Sequence, residues 1–505
     1  MKTLVDFIES PLSKHNLHKK YAKSFIHLSP MPEVTTGEIL LASLYRNVGF
    51  TSSVTEKQVP KNNRLFSKSL KNKKRPSGLS SPVNIDIDLW DKIVTRSITS
   101  PKLINQSKKK FIQLSPLVPD ATIYSMSPRL AGDPWNPGKL IAKIIDLGAT
   151  STTESIALWK RIYQKLSVTD DDDDIWARLI QKELESWREK ELLDSWGMPE
   201  DLPLSVEEKT TNLFLDSPAS YFVKDLNAVL DLKNSLTRRQ WVSMLESLCR
   251  IGASAHVMWL CNVNETCTKM FQKALSEGGT FSEQEVQEEL ALRECFWRLD
   301  HPTTKTIEGV VRSYMLGRCS MNLIIWMLVE NGRFNEDKID LLSPEGISNT
   351  LNYLSENRDK FDYKDYRKKL RMIFEEDPSI MACKKGTSKN ISEFLNYVIR
   401  QRQTSESGFE SYDQGYYIRK RGAYSSAPWV AGLGPTSILL MVYCTVSKSN
   451  GPCTIADLIL QLSHYGLEVN MQQNSNSVFY KLLRNLGLVI DSPDAEGGMI
   501  ITSHF

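Results

Sequence analysis

Trp241-Val-Ser-Met244-Leu245-Glu-Ser-Leu248 places four apolar side chains at i, i+3, i+4 and i+7. That spacing puts them on one face of an α-helix. The same face runs on through Ile251-Gly-Ala-Ser-Ala-His-Val-Met-Trp-Leu260. On the C-terminal side, Ser282-Glu-Gln-Glu285 has capping-box spacing ahead of Val286–Trp297. Thr306–Glu330 reads as a longer, more fully buried helix, and Ser388–Arg402 as another amphipathic one. On the N-terminal side, five aspartates, Asp170–Asp174, lead into Ile175–Trp187. Carboxylates at a helix start accept from free amides and complement the positive end of the dipole, so the run reads as a helix start, not a metal site. No strand signal separates these segments. Residues 139–403 therefore predict an α-helical scaffold, and the fold class is mainly α.

The chain has 505 residues, 41% hydrophobic and 24% charged. This is enough apolar material for real cores, which excludes a mainly disordered, collagen-like or mucin-like protein. Lys plus Arg number 63 against 60 Asp plus Glu, a net of +3, but the charge is unevenly spread. Residues 1–110 hold 20 basic and 8 acidic side chains. A basic front end on an acidic body points to contact with phosphates or another acidic surface. The eight cysteines form no C-x2-C pair, and their apolar neighbours predict burial in a reducing cytoplasm. The most apolar window, Met321–Val329, is nine residues long. A bilayer span needs about 20, and Met1–Asp6 lacks signal-peptide character. The expectation is a cytoplasmic protein with no membrane contact.

Residues 1–138 read as a basic, partly irregular region of short, proline-bounded segments. Phe25-Ile-His-Leu-Ser-Pro30 returns as Phe111-Ile-Gln-Leu-Ser-Pro116, two copies of a short extended segment and too few for a solenoid. Between them, Lys61, Arg64, Lys68, Lys71, Lys73, Lys74 and Arg75 make seven basic residues in fifteen. So few apolar residues accompany them that burial cannot offset ordering entropy, and a mobile loop near 61–80 is predicted. His15 and His18 lie in a polar, lysine-containing stretch and read as solvent-facing.

Residues 404–433 read as a basic and aromatic linker. Tyr416-Tyr417-Ile-Arg419-Lys420-Arg421-Gly-Ala-Tyr424 interleaves cations with rings, the composition that holds phosphates and stacks on bases. A surface linker whose tyrosines pack on a neighbour has the same composition.

Residues 434–505 alternate capped helices with short strands. Gly434-Pro435 opens a first helix, Thr454 caps a second that Gly466 stops, and Val478–Leu486 makes a third ending at Gly487. Leu488-Val-Ile490 and Met499-Ile-Ile501 then read as two strands about a loop. This order of elements resembles a winged helix-turn-helix domain, over residues 434–505 only. The resemblance implies a third helix that enters the major groove and a wing that touches the backbone. By position it assigns contacts to Asn474, Asn476, Ser477, Lys481, Arg484 and Asn485, with the asparagines suited to adenine and the two cations to phosphate or guanine. This sequence departs from that pattern in an acidic wing, Asp491, Asp494 and Glu496. Winged helices also dock proteins, and that alternative stands beside DNA readout.

No P-loop, G-x-G-x-x-G, G-x-S-x-G or H-E-x-x-H spacing occurs. Pro199-Glu-Asp201 with Glu207-Glu-Lys209 only loosely matches the carboxylate and lysine set of metal-dependent nucleases, on segments that read as loop and helix start. The sequence thus offers no catalytic or metal-ligating set and implies no cofactor. The expectation is a non-enzymatic, nucleic-acid-binding scaffold subunit of a bacterial DNA-processing or phage-defence-type complex, with a protein partner supplying ATPase or nuclease activity. The alternatives are a winged-helix transcriptional regulator and an uncatalogued metal-dependent nuclease.

Overall fold

The computed structural model describes the chain except residues 1–2, 14, 30, 33–34, 51–84, 103–112, 126–128, 131–132, 188–195, 199–201, 203, 205–215, 292–294, 331–333, 377, 404–411, 423, 425, 450, 471–477 and 491–498. The fold is mainly α-helical, with a few two- and three-residue strands. A central helix, Arg238–Ser276, runs for 39 residues, about 58 Å at the α-helical rise. Thr237 starts it: its hydroxyl accepts from the Gln240 amide while the Gln240 side chain accepts from the Thr237 amide, a reciprocal capping box. Burial extends around the helix and includes Ser247, Arg250, His256 and Asn264 as well as its apolar face. Such a helix lies in the middle of a molecule, with other helices covering every side.

The second long helix, Thr304–Glu330, packs along the first. Gly317 makes the close approach possible, because a Cβ there would stand 2.9 Å from the carbonyl oxygen of Asn264. The apolar window Met321–Val329 lies inside this helix, and among the described residues no helix is long and apolar enough to cross a membrane. Pro218–Asp231, Pro344–Glu356 and Gly386–Ile399 complete the wall around the pair. Ser282 caps Glu283–Leu290 through the expected box with Glu285. Asp174 caps Ile175–Ser186, accepting from the Ala177 amide at 3.0 Å. Its neighbour Asp173 turns inward and binds Lys233 at 3.0 Å and Arg238 at 2.8 Å.

The described part of the N-terminal region contains more helix than its proline content suggests. Gly37–Gly49 is a helix capped by Thr36 and buried at every position but Asn47, packed against both the central helix and Gly138–Gly148. A helix enclosed all round shows no amphipathic face, so periodicity does not reveal it. His18, expected to face solvent, is buried. Its ring accepts from the Lys20 amide and meets the edge of Trp326 at 4.7 Å, and burial lowers its pKa to about 4. His15 is exposed. Phe25, Ile26 and Leu28 of the first repeated segment enter the core, whereas Phe111 and Ile112 of the second lie outside the described residues. Six cysteines are buried, Cys383 is half-buried and Cys295 is exposed.

At the C-terminus, Pro435–Val446, Ile455–Ser463 and Val478–Asn485 form three helices. Thr454 caps the second through a box with Asp457, and Gly466 and Gly487 take positive φ angles of 74° and 66° behind the second and third. Cys453–Thr454, which precedes the second helix, joins Val489–Ile490 and Ile500–Ile501 in one antiparallel sheet with the last strand in the middle. The link between the second and third helices, Leu467–Glu468, pairs in parallel with Trp297–Arg298. Just beyond, Leu299 and Pro302 bridge to Ala431 and Val430. A thin β-layer thus fastens the three C-terminal helices to the segment before them.

Candidate nucleic-acid interface

That preceding segment is a hairpin. Ile418–Lys420 and Trp429–Ala431 pair antiparallel, with Arg419 opposite Val430 and Lys420 opposite Trp429. Tyr417, Ile418, Val430 and Ala431 are buried. The described part of 404–433 is therefore anchored, because both strands carry apolar side chains into the core. The outward residues carry the charge. Arg421 and Tyr424 are exposed at the hairpin end, where the Arg421 amide donates to the Pro428 carbonyl at 3.0 Å. Arg400 lies 4.6 Å from the Trp429 ring centre and 4.3 Å from that of Tyr397, and Lys420 stands 5.9 Å from Trp429. These are cation–π contacts that hold the cations in place while leaving them charged. Arg419 donates to Asp300 at 2.9 Å. Asp300 itself takes a positive φ of 61°, a conformation that aspartate tolerates better than most residues.

The third C-terminal helix buries Phe479, Tyr480 and Leu483 and exposes Val478, Lys481, Arg484 and Asn485. The exposed set falls at three- and four-residue intervals, one face of the helix. Arg419, Asp300 and Gly432 share a small cleft with Val478, Phe479 and Leu482, so Arg419 borders the third helix, while Lys481 and Arg484 stand outside that lining. Lys61, Arg64, Lys68, Lys71, Lys73, Lys74, Arg75, Asn474, Asn476 and Ser477 lie outside the described residues. So do the acidic wing positions and the nuclease-like carboxylates Glu200, Asp201, Glu207 and Glu208.

A second polar centre escaped the sequence reading. Lys102 donates to both oxygens of Glu246, at 3.0 and 3.3 Å, and lies 3.7 Å from Glu38 and 3.8 Å from Asp413. Arg250 holds both Asp413 oxygens, at 2.8 and 3.3 Å, and also donates to the Val398 and Arg400 carbonyls. Burial alone would raise the Asp413 pKa, but Arg250 and Lys102 bring it down to about 2. Burial would likewise lower Lys102, and its three carboxylates raise it instead. Only Glu246 and Arg250 carried a local signal, their i, i+4 spacing. The other members come from distant parts of the chain. Among the described residues no group of three or more His, Cys, Asp or Glu is placed to hold a metal ion. Compared with known protein families and with curated proteins, the chain matches none.

Proposed function

We propose that the protein is a non-enzymatic, nucleic-acid-binding subunit whose C-terminal module, 434–505, is a winged helix. The helix order, with a strand before the second helix completing the sheet of the last two, supports the winged-helix reading. The observation that carries the interface is the shared cleft of Arg419 and the third helix. The cleft puts Arg419 against the third helix, and on this reading Lys420, Arg421 and the exposed Tyr424 of the same hairpin meet the ligand together with Lys481 and Arg484. Phosphates meet the cations, and an unstacked base finds a ring in Tyr424. The basic residues of 61–75 add a further electrostatic contact, and a protein partner supplies the ATPase or nuclease activity.

Affinity for duplex and single-stranded DNA across a salt series tests the proposal. Replacing Lys68, Lys71, Lys73, Lys74 and Arg75 by alanine is expected to lower the slope of log K against log salt by about four to five. Lys481→Ala with Arg484→Ala should change the slope by only about two and reduce sequence preference by about 1–3 kcal/mol. Absence of binding at low salt, or affinity unchanged in both variants, overturns the proposal and leaves protein docking as the module's role.

A further inference from the structure

The buried charges around Lys102 form the floor of a cleft of about 270 Å³. Its walls come from the first turn of Gly37–Gly49, from Ser115–Leu117, from the N-terminal half of the central helix and from Tyr412–Gly415. The floor holds Glu38, Glu246 and Asp413 against Lys102 and Arg250, all buried, which leaves one negative charge in excess. Arg250 is fully engaged by Asp413 and two carbonyls, and Lys102 by Glu246. Glu38 is the carboxylate left short. Its Oε1 takes a long bond from Ser115 at 3.4 Å and lies 3.7 Å from Lys102, Ser100 adds a side-chain hydrogen bond, and its buried Oε2 is left without a hydrogen-bond partner. Burial raises its pKa, and Glu246 adds to this against the pull of Lys102.

The rim carries the opposite imbalance. Arg239 is exposed there. It donates to the Ser97 carbonyl at 3.0 Å and, weakly, to the Tyr412 hydroxyl at 3.5 Å, which leaves most of a guanidinium's five N–H groups available. Taken together the lining is neutral, with its excess negative charge inside and its spare positive charge outside. The nearby Arg402 guanidinium lies over the Tyr397 ring at 5.6 Å and is not part of the lining.

We infer that this cleft binds a small zwitterion of the α-amino acid type, with its ammonium group toward Glu38 and Glu246 and its carboxylate on Arg239. An anion would add to the excess charge of the floor, and a simple cation, which balances the floor, would carry net charge into a lining that is neutral overall. A zwitterion brings none and supplies a donor to the inner carboxylates and an acceptor to the rim. Ser115, Ser243 and Tyr412 add neutral hydroxyl groups to the lining.

Thermal unfolding and calorimetry of the full chain, with the standard L-amino acids at millimolar concentration, test this inference. At least one free amino acid is expected to raise the melting temperature saturably. Its N-acetyl and C-amide forms each lack one charge and should bind at least roughly tenfold more weakly. Arg239→Ala, at an exposed position, should melt like the wild type without ligand and lose roughly tenfold or more in affinity. Glu246→Gln probes the ammonium end, and if that variant does not fold, Arg239→Ala decides. The inference is overturned if no amino acid stabilises the wild type, if either capped form binds as well as the free one, or if Arg239→Ala binds unchanged.

Discussion

Asp413 accepts from both terminal nitrogens of Arg250 and from the Arg402 amide at 2.7 Å, all within the core. Its folded pKa of about 2 lies below the ordinary 3.8. The stabilisation it contributes is therefore present above pH 3.8 and is lost as pH falls through about 2. Asp413→Asn removes the carboxylate that holds both terminal nitrogens of the buried Arg250, and urea unfolding at neutral pH should show a loss of about 3–5 kcal/mol. A second acid effect precedes this one. Burial lowers His18, His27 and His464 to about 4 and His256 to about 3, from an ordinary 6.5. Below pH 6.5 the unfolded chain takes up protons that the folded protein refuses, so stability declines from there toward pH 4. The urea midpoint should be lower at pH 5 than at pH 7, and equal midpoints would contradict these buried, neutral rings.

At the scale of elements, the two long helices meet where Gly317 faces the Asn264 carbonyl. Gly317→Val would drive a side chain into backbone that cannot yield cheaply, and a loss of about 1–3 kcal/mol is expected in the same urea assay. A cost within a few tenths of that of Gly309→Val would contradict the close packing, since a Cβ at Gly309 meets nothing within 4 Å. Helix starts and stops were legible because their causes are local. Ser282, Asp174 and Thr454 cap through atoms within three residues, and Gly466 and Gly487 stop helices through their own φ angles. Gly37–Gly49 was not legible, nor was the Ile418–Ala431 hairpin. The helix has no polar face to mark its period, and the hairpin strands are three residues long, too short for alternation to stand out.

At the scale of the whole molecule, the larger of two apolar cores among the described residues runs from Leu4 to Ile501 and a smaller one gathers Phe50, Ile98, Val118 and Leu184, so the boundary at residue 434 does not separate independent cores. Asp225 fastens the C-terminal module to the body. It is fully buried in Pro218–Asp231, accepts from Gln461 and Tyr465 at 2.6 Å each, and pairs with Lys448. All eleven tryptophans precede residue 434, so tryptophan fluorescence reports on the body and, through Trp297 beside Leu467, on its junction with the module, while far-UV circular dichroism reports on the whole chain. Both should follow one melting transition, and a separate transition seen by dichroism alone would show the module unfolding by itself. Asp225→Ala should lower that shared transition through a loss of about 3–5 kcal/mol, because it strands Lys448, Gln461 and Tyr465 together.

The sequence by itself determined the helical class, the caps, the three-helix order of 434–505 and the basic residues at 419–421, 481 and 484. Each of these rests on neighbours within about one or two helical turns, the range over which periodicity and capping act. Tertiary structure alone decided that Arg419 borders the third helix, that His18 is enclosed, and that Glu38, Lys102, Glu246, Arg250 and Asp413 share one cleft. Apart from the i, i+4 pair Glu246 and Arg250, those groups lie far apart along the chain and meet only when the core closes around the central helix, where burial turns ordinary surface-type residues into a charged, enclosed site.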